Sequence, residues 1–250
     1  MVGWNSAPVV GRWIAGHPPW DLRALLRPRI VSVTSLLDLG TGGGEFLSSL
    51  APLPPRTTAT EGYPPNVPEA RRRLQGLGVQ VMPIGTDNRT PMPDRSVELV
   101  LSRHEEFDPT EVYRVLVPGG TFITQQVGAA NYREINQRLG LLPGPATNAV
   151  GSAAELSAEV DSAGLRVSEV QEARFEDQFR DVGALVWYLR FAPWQALGFS
   201  VSRCRSELKR IHEEIQRTGR FEVTAHRLLV IAQRPAPVER GIARSRPRPS

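Results

Sequence analysis

The feature that most constrains the fold of this chain is a short apolar run that ends in a cluster of glycines. Residues 35–39 read Ser-Leu-Leu-Asp-Leu, and Gly40, Gly42 and Gly44 follow directly. A continuous apolar run bounded by glycine is typical of a strand buried on both faces of a parallel sheet. Glycines after such a strand allow a tight turn and the close approach of a ligand to the next helix. The pattern predicts a buried strand, a turn and a ligand site where they meet.

Short apolar runs and capped helical segments alternate along the rest of the chain. Asn66, for example, is expected to cap a helix, with Glu69 completing a capping box. Strands that alternate with helices imply right-handed crossovers and a mostly parallel sheet with helices on both faces. The sequence therefore predicts an α/β fold with a seven-stranded, mostly parallel sheet. The predicted strands are residues 35–39, 57–61, 79–84, 97–101, 121–125, 167–173 and 223–232.

The glycine cluster differs from the loops that bind phosphates. A dinucleotide-binding loop has glycine at its sixth position, where this chain has Glu45. A negative charge beside a helix N-terminus would repel a pyrophosphate. The Gly-Lys-Ser/Thr of an ATP-binding loop is also missing from the sequence. A positively charged sulfonium cofactor without phosphates meets neither objection, and a turn without any ligand is the remaining alternative.

Residues 36–126 carry four features in the order and spacing of a known family. They are the glycine motif at 38–44, an acid ending the second strand, Thr86 and Asp87 after the third, and the segments 91–100 and 115–120. On these residues the chain resembles the class I methyltransferases that use S-adenosylmethionine (SAM), specifically the small bacterial enzymes with one such domain. The resemblance implies a Rossmann-like fold with helical cover segments, SAM as cofactor, and methyl transfer.

The resemblance also implies roles for individual residues. Those that would line the methionine and ribose portions of SAM are Asp38, Gly40, Thr41, Gly42 and Gly44. Glu61, which lies 23 residues after Asp38, would hold both ribose hydroxyls. The family's adenine-binding acid falls on Thr86 when counted back from Pro93, and Asp87 stands one place later. The adenine contact is therefore left open between Asp87, Thr86 and a backbone amide.

The acceptor in such folds enters above the carboxyl ends of the strands, where residues following the fourth strand can reach it. His104 is the candidate general base or acceptor-orienting group, because an unperturbed imidazole exchanges protons near neutral pH. The alternative is that His104 only caps a loop by hydrogen bonding. Glu105 is a second candidate, unless it is simply solvated or offsets a neighbouring arginine. For Gln125 and Gln126, ordinary strand-end hydrogen bonding is favoured over contact with the acceptor.

The net charge does not indicate a nucleic-acid partner. The chain has 30 basic and 26 acidic side chains and a formal charge of +4. Residues 234–250 contain five arginines and one glutamate, so the rest of the chain holds 25 of each sign. The excess lies in a Pro/Arg tail, residues 234–250, that we expect to be disordered. A small-molecule acceptor is favoured; an RNA or protein methyltransferase and a non-catalytic SAM-binding protein are the alternatives.

Residues 31–233 are predicted to form the SAM-binding domain. An N-terminal cover segment at 1–30 precedes it, and segments 127–151 and 178–220 are predicted to cover the acceptor site. Aromatic residues in these covers could build an apolar wall for the acceptor, although core packing is the expectation for any single one. These residues are Trp4, Trp13, Trp187, Tyr188 and Trp194.

The remaining sequence patterns argue against a metal site, a membrane span and a signal peptide. Cys204 is the lone cysteine and the histidines show no ligand spacing, so no metal site is predicted. No run approaches the ~18–20 apolar residues of a membrane span. The first residues lack the order of charge and hydropathy of a signal peptide. We expect a cytoplasmic protein without a membrane partner, and its oligomeric state is left open.

Overall fold

A mixed sheet of eight strands organises the chain in a computed structural model, which describes residues 7–85, 89–144 and 151–237. The strands are β1 (Trp13–Ile14), β2 (Ser35–Leu39), β3 (Arg56–Glu61), β4 (Gln80–Pro83), β5 (Val97–Arg103), β6 (Leu116–Val127), β7 (Arg166–Phe179) and β8 (Phe221–Gln233). Their order across the sheet is β1-β7-β8-β6-β5-β2-β3-β4. Neighbours from β4 to β6 run parallel, whereas β8 pairs antiparallel with β6 and β7, and β1 with β7.

The predicted α/β fold with a mostly parallel sheet is confirmed, and each of the seven predicted strands is present. β1 is an additional, eighth strand at the sheet edge, where Trp13 pairs with Phe179 and Ile14 with Gln178. Two residues are too few to show a periodic pattern, so the sequence carries no signal for this strand. The strands β6, β7 and β8 also extend beyond their predicted limits.

Helices cover both faces of the sheet, as predicted. The α-helices of the described residues are α1 (Leu22–Ile30), α2 (Glu45–Ser48), α3 (Val67–Leu74), α4 (Pro109–Val115), α5 (Arg133–Leu139), α6 (Ala153–Ser162), α7 (Val182–Phe191) and α8 (Arg205–Thr218). The first three bury Leu26, Leu47 and Leu74 in the core on one face. On the other face, α4 and α6 bury Val115 and Val160.

A third hydrophobic cluster lies at the extended ends of β7 and β8. It contains Ile135 of α5, Leu185 of α7 and Ile211 of α8, together with Phe179 and Phe221 of the two strands. These helices belong to the segments predicted to cover the acceptor site, of which residues 145–150 lie outside the described part. The described helices of these segments therefore share one core with the long strands, which fixes their position relative to the sheet.

Arg234, predicted to begin the disordered tail, is part of the fold. Only 7% of the residue is exposed, and its guanidinium lies 4.2 Å from the ring centre of Tyr113. Its Nη1 donates to the carbonyls of Tyr113 and Leu116 at 2.7 and 2.8 Å. Its backbone N–H donates to the carbonyl of Gly120 at 2.9 Å. These bonds extend the ordered chain past β8, while residues 238–250 of the predicted tail lie outside the described part.

Three further observations concern membrane-spanning helices, groups of metal-binding side chains and the lone cysteine. Within the described ranges, no helix has the length and hydropathy needed to cross a bilayer. The same residues contain no group of three or more His, Cys, Asp or Glu side chains that could hold a metal ion. Cys204 is free and buried in the third hydrophobic cluster, where it packs as a small apolar side chain.

Candidate active site

The glycine loop turns at the carboxyl end of β2, and at two of its positive-φ positions neighbouring side chains also leave no room for a Cβ. Gly40 and Gly44 have φ angles of 64° and 80°, in the left-handed region that favours glycine. A Cβ on Gly40 would lie 2.1 Å from Cγ of Glu105, and one on Gly44 would lie 2.9 Å from a leucine side chain of α3. The N–H of Thr41 donates to the carbonyl of Thr60 on β3 at 2.9 Å. The loop is therefore shaped by its glycines and tied to the next strand.

Two buried carboxylates flank this loop on one face of the sheet. Asp38 on β2 pairs with Ala59 of β3, and Glu61 follows two residues later on β3. Because side chains alternate along a strand, Asp38 and Glu61 leave the same face. Only 4% of Asp38 and 5% of Glu61 is exposed. The structure thus brings together two residues that the sequence predicted to bind the cofactor.

Burial dominates the protonation of Asp38. It raises the pKa of Asp38 to about 7, and the nearby charge of Glu61 adds to the rise. The Thr41 hydroxyl and the positive charge of Arg103 act in the opposite direction. A buried carboxylate whose pKa lies this high is stabilised in its charged form by an additional cation. The environment of the loop therefore favours a positively charged ligand and opposes a pyrophosphate.

Glu61 is held by the chain that follows β3. The N–H of Tyr63 donates to its Oε1 at 2.7 Å. Burial raises the pKa of Glu61, whereas hydrogen bonds from the N–H groups of Tyr63 and Gly42 and from the Asn66 side chain stabilise the charged form. Asn66 is at the N-cap position of α3 as predicted, but its side chain makes no capping bond and hydrogen-bonds to Glu61 instead. Glu69 pairs with two arginines of its own helix.

Glu105 lies against the glycine loop. Its side chain occupies the space that a Cβ on Gly40 would need. Burial raises the pKa of Glu105 to about 7, and the charges of Glu61, Glu106 and Asp38 raise it further. Full solvation, one alternative for this carboxylate, describes the exposed Glu106 rather than Glu105. Three acids thus concentrate negative charge around one loop.

His104 is held by both the backbone and the side chain of Gln125. The His104 N–H donates to the Gln125 carbonyl at 2.8 Å, and the Nε2 atoms of the two side chains are 3.1 Å apart. The Trp20 indole N–H donates to Oε1 of Gln125 at 2.8 Å. An indole nitrogen can only donate, so this bond identifies the oxygen of the Gln125 amide, and the amide nitrogen must donate to His104 Nε2. A neutral His104 therefore carries its proton on Nδ1.

This arrangement limits how His104 can move a proton. Burial holds its pKa well below the usual range, and the charges of Arg103 and Arg227 lower it further. The lone pair of Nε2 is already engaged by Gln125, so it could take a proton only after that bond broke. The backbone of His104 has a φ of 60°, a left-handed conformation that is costly for a residue other than glycine. The ring is thus fixed in place as a neutral group.

The other predicted site residues have simpler outcomes. The Gln126 amide nitrogen donates to Oγ of Ser102 at 3.2 Å and to the Glu105 carbonyl at 3.0 Å, which is strand-end hydrogen bonding. Thr86 and Asp87, the two candidates for the adenine contact, lie outside the described residues. Their assignment stays a prediction.

The aromatic residues predicted to form an acceptor wall separate into two groups. Trp13 stacks on Phe179 with ring centres 5.9 Å apart and meets the edge of Tyr188 at 5.3 Å. These three side chains belong to the third hydrophobic cluster or pack against it. Trp187 also packs against this cluster and stacks on a phenylalanine of its own helix, whereas Trp194 is 46% exposed. Trp4 lies outside the described residues. Core packing therefore describes Trp13, Trp187 and Tyr188.

Sequence reasoning missed Trp20 and Arg227 as residues near the site. Trp20 reaches Gln125 across 105 positions of the chain. Arg227 shares a face with Gln125 through the strand pairs Gln125–Leu229 and Val127–Arg227. Such contacts depend on strand register and leave no local motif. An arginine within the long apolar strand β8 was the one signal that could have pointed to Arg227.

Comparison with known proteins agrees with this geometry. Residues 37–124 match the family model described as a methyltransferase domain. No curated protein sequence matches the chain. The family match and the fold agree that these residues form a methyltransferase domain.

Solved structures share the fold at low sequence identity. A Bacillus halodurans protein, provisionally named a methyltransferase, is 18% identical with a TM-score of 0.61, covering 86% of this chain and 99% of its own. The YcgJ protein of Bacillus subtilis is 17% identical with a TM-score of 0.62, covering 86% and 98%. The [4+2]-cyclase SpnF is 16% identical with a TM-score of 0.57, covering 86% and 80%. These likenesses show the fold alone, and SpnF is named for a reaction other than methyl transfer.

Proposed function

We propose that the chain transfers a methyl group from SAM to a small-molecule acceptor at the edge where β2, β3 and β5 end. The observation that carries this proposal is the pair of buried carboxylates, Asp38 and Glu61, beside a glycine loop. Negative charge held in a partly desolvated site attracts a sulfonium ion and repels phosphates. This selectivity matches SAM better than a dinucleotide or ATP.

In this proposal the cofactor follows the edge from the glycine loop toward β4. The residues around its methionine and ribose portions are Asp38, Gly40, Thr41, Gly42 and Gly44. Glu61 accepts hydrogen bonds from the ribose hydroxyls, for which its second oxygen and remaining lone pairs provide capacity beyond the bond from Tyr63. Thr86, Asp87 or a backbone amide of the segment that follows β4 contacts the adenine.

The chain contributes mainly alignment to the reaction. When bound, SAM supplies a methyl group that its positive sulfur has already activated. The residues of the site then hold the acceptor atom ~3–3.5 Å from the methyl carbon. Glu105, with a pKa of about 7, takes the proton of an acceptor that must lose one. His104 acts as a neutral orienting group, because its Nε2 lone pair is engaged by Gln125.

A small molecule fits the charge distribution better than a nucleic acid. Outside residues 234–250 the chain holds 25 basic and 25 acidic side chains, whereas RNA binding relies on a cationic surface. The fold does not decide the reaction, since a protein of this fold is named a cyclase. Methylation of RNA or protein and binding without turnover are therefore outcomes that the experiments must separate.

The cofactor assignment is tested by calorimetric titration of the pure protein with SAM and with its demethylated product, S-adenosylhomocysteine. We expect both to bind, and Glu61→Gln to weaken binding by about 10–100-fold, as for a charge-assisted hydrogen bond. The matched control is Glu159→Gln, which removes an exposed carboxylate on α6. Absence of heat with both ligands, from protein shown to be folded, would overturn the assignment.

The acceptor class is tested with SAM carrying a labelled methyl group. The protein is incubated in turn with small-molecule, RNA and protein fractions of a cell extract. We expect labelled product in the small-molecule fraction, and its loss with Glu61→Gln. Label confined to RNA or protein would contradict a small acceptor. Label in none of the fractions, from protein that binds SAM, would point to a non-catalytic role.

A further inference from the structure

Two arginines stand on the sheet face that carries the buried acids, and the proposed methyl transfer does not use them. Arg103 ends β5 and pairs with Gln125 of β6. Gln125 pairs in turn with Leu229 of β8, and Arg227 lies two residues before Leu229. Side chains two residues apart on a strand leave the same face, so Arg103 and Arg227 do so as well. Burial lowers the pKa of Arg103 to about 10, and the positive charge of Arg227 lowers it further.

Arg103 lacks a counterion in the described part of the chain. Its guanidinium lies over the ring of Phe46, 4.6 Å from the ring centre, and there it forms no hydrogen bond and no ion pair. Arg114, also half-buried, pairs with both Glu111 and Asp94. The charge of Asp38 reaches Arg103, but the two side chains form no hydrogen bond or ion pair among the described residues. Five N–H donors of Arg103 are thus held in a half-buried place without an acceptor.

Arg227 is oriented by neutral groups. Its Nη1 donates to Oδ1 of Asn131 at 2.6 Å and to the His226 carbonyl at 2.9 Å. Among the described residues no carboxylate lies within ion-pair distance of it. The Arg227 guanidinium carbon lies 5.9 Å from the ring centre of Phe175. The charge of Arg227 also reaches the buried Tyr132 and Tyr188. Arg227 therefore presents a positive charge from an aromatic environment.

Placing two guanidinium groups together away from water is unfavourable unless an anion joins them. Arginine binds carboxylates through paired N–H donors, which makes a carboxylate a well-matched anion. β8 lies three strand spacings from β2, which corresponds to ~14 Å at ~4.8 Å per spacing. Arg227 is therefore remote from the glycine loop, on the side where the covers and their aromatic residues lie.

We infer that the acceptor carries a carboxylate, which binds between Arg103 and Arg227 while the methyl-accepting atom faces the glycine loop. This inference rests on the proposed function. It assigns the two charged groups of the reaction to two places: the acids near Asp38 receive the cationic cofactor, and the arginines receive the anionic acceptor. The amino-acid portion of SAM also ends in a carboxylate, and the test separates these two sources.

The test uses wild-type protein saturated with S-adenosylhomocysteine, to which matched probes are added. The probes are benzoate, hexanoate and succinate, each compared with its amide by thermal shift and calorimetry. We expect at least one carboxylate to bind while its amide does not, because the amide has the shape without the charge. If no carboxylate binds better than its amide, the inference is overturned. Saturation by S-adenosylhomocysteine is measured first, so failure of the proposed function appears separately at that step.

Variants then locate the bound carboxylate. We expect Arg103→Gln and Arg227→Gln each to weaken the carboxylate by about 10–100-fold and to leave the affinity for S-adenosylhomocysteine within a few-fold. Arg174→Gln is the matched control, since Arg174 is exposed on β7 and pairs with Glu172. Unchanged carboxylate binding in both variants overturns the inference. So does a loss confined to S-adenosylhomocysteine, which would assign the arginines to the cofactor. Arg103→Lys, which keeps the charge, replaces Arg103→Gln if the latter does not fold.

Discussion

The parallel and antiparallel halves of the sheet present opposite charges along one edge. In the parallel half, Asp38 and Glu61 are buried beside the glycine loop, and Glu105 lies against it. In the antiparallel half, β8 contributes Arg227, and Arg103 stands at the border between the halves. The parallel half, with its three acids, is called the acidic half, and the antiparallel half with its arginines is called the basic half. The comparison shows that the glycine motif predicts only the acidic half. The basic half exists only once distant strands have paired.

The largest expected effect breaks the acidic half. Gly40→Ala and Gly140→Ala both place a side chain at a positive φ, 64° and 61°, but only Gly40 has a neighbour, Cγ of Glu105 at 2.1 Å. We expect a shared strain of ~1–2 kcal/mol in the free energy of unfolding. Crowding should cost Gly40→Ala a further ~1–3 kcal/mol and remove detectable SAM binding. Urea denaturation and calorimetry measure both quantities, and equal behaviour of the two variants would contradict the role of the loop.

The next effect probes the covers of the antiparallel half. The Tyr132 hydroxyl donates to the Asp177 carboxylate, whose other oxygen accepts the Gly16 N–H at 2.8 Å. Asp177 is only 2% exposed, so Tyr132→Phe leaves a buried carboxylate short of a partner. We expect a loss of ~1–3 kcal/mol in the free energy of unfolding and little change in affinity for S-adenosylhomocysteine. A large change in that affinity would show that the two halves are coupled.

A smaller effect sharpens the acidic half through pH. The pKa values of Asp38 and Glu105 are about 7 in the folded protein, above the ~4 of unfolded chains. The folded state therefore binds these protons more tightly, and the resulting stabilisation, complete at low pH, is lost as pH rises from ~4 to ~7. A cationic ligand favours the ionised acids, so SAM affinity should rise with pH and level off above ~7. Calorimetry of wild type and Asp38→Asn would show this, and a pH-independent affinity would refute it.

The smallest effect concerns the contact between the halves. In the wild type, the Trp20 indole N–H orients the Gln125 amide, whose nitrogen then donates to His104 Nε2 and leaves the His104 proton on Nδ1. Trp20→Phe removes that indole donor. We expect a loss of ~0.5–1.5 kcal/mol in the free energy of unfolding. Nitrogen NMR should show His104 protonated on Nδ1 in wild type and a mixture of tautomers in the variant. Protonation of Nε2 in wild type would reverse the assignment and restore His104 as a candidate base.

Sequence reasoning succeeded where structure depends on neighbours along the chain. The strand at 35–39, its glycine turn and the next strand, which ends at Glu61, lie close together along the chain, so periodicity and turn residues were sufficient to predict them. The cofactor role of Glu61 comes from the family resemblance and stays a prediction. Sequence reasoning failed for the side chain of Asn66, because its hydrogen bond to Glu61 competes with helix capping and no local pattern ranks the two. The same reasoning assigned Arg234 to the disordered tail, because the Pro/Arg composition of the segment gives no sign that one of its guanidinium groups is buried.

Electrostatic environments were the least predictable part of the site. His104 was chosen for an ordinary imidazole pKa, yet burial and two arginines hold that pKa well below it. Glu105 was the weaker candidate, yet burial beside Gly40 raises its pKa to about 7. Both shifts arise from tertiary packing around the groups, which a single sequence does not specify.

The hydrogen bonds that hold Arg234 at the end of β8 have a practical consequence. Arg234 bonds to Gly120 in the first half of β6, whereas the residues of the proposed site lie at the carboxyl ends of the parallel strands. The described chain therefore leaves β8 at the end of the sheet opposite the proposed active site. A tether or reporter joined at Pro237 should therefore start at the end of the sheet opposite the proposed site, which makes this position suitable for surface immobilisation.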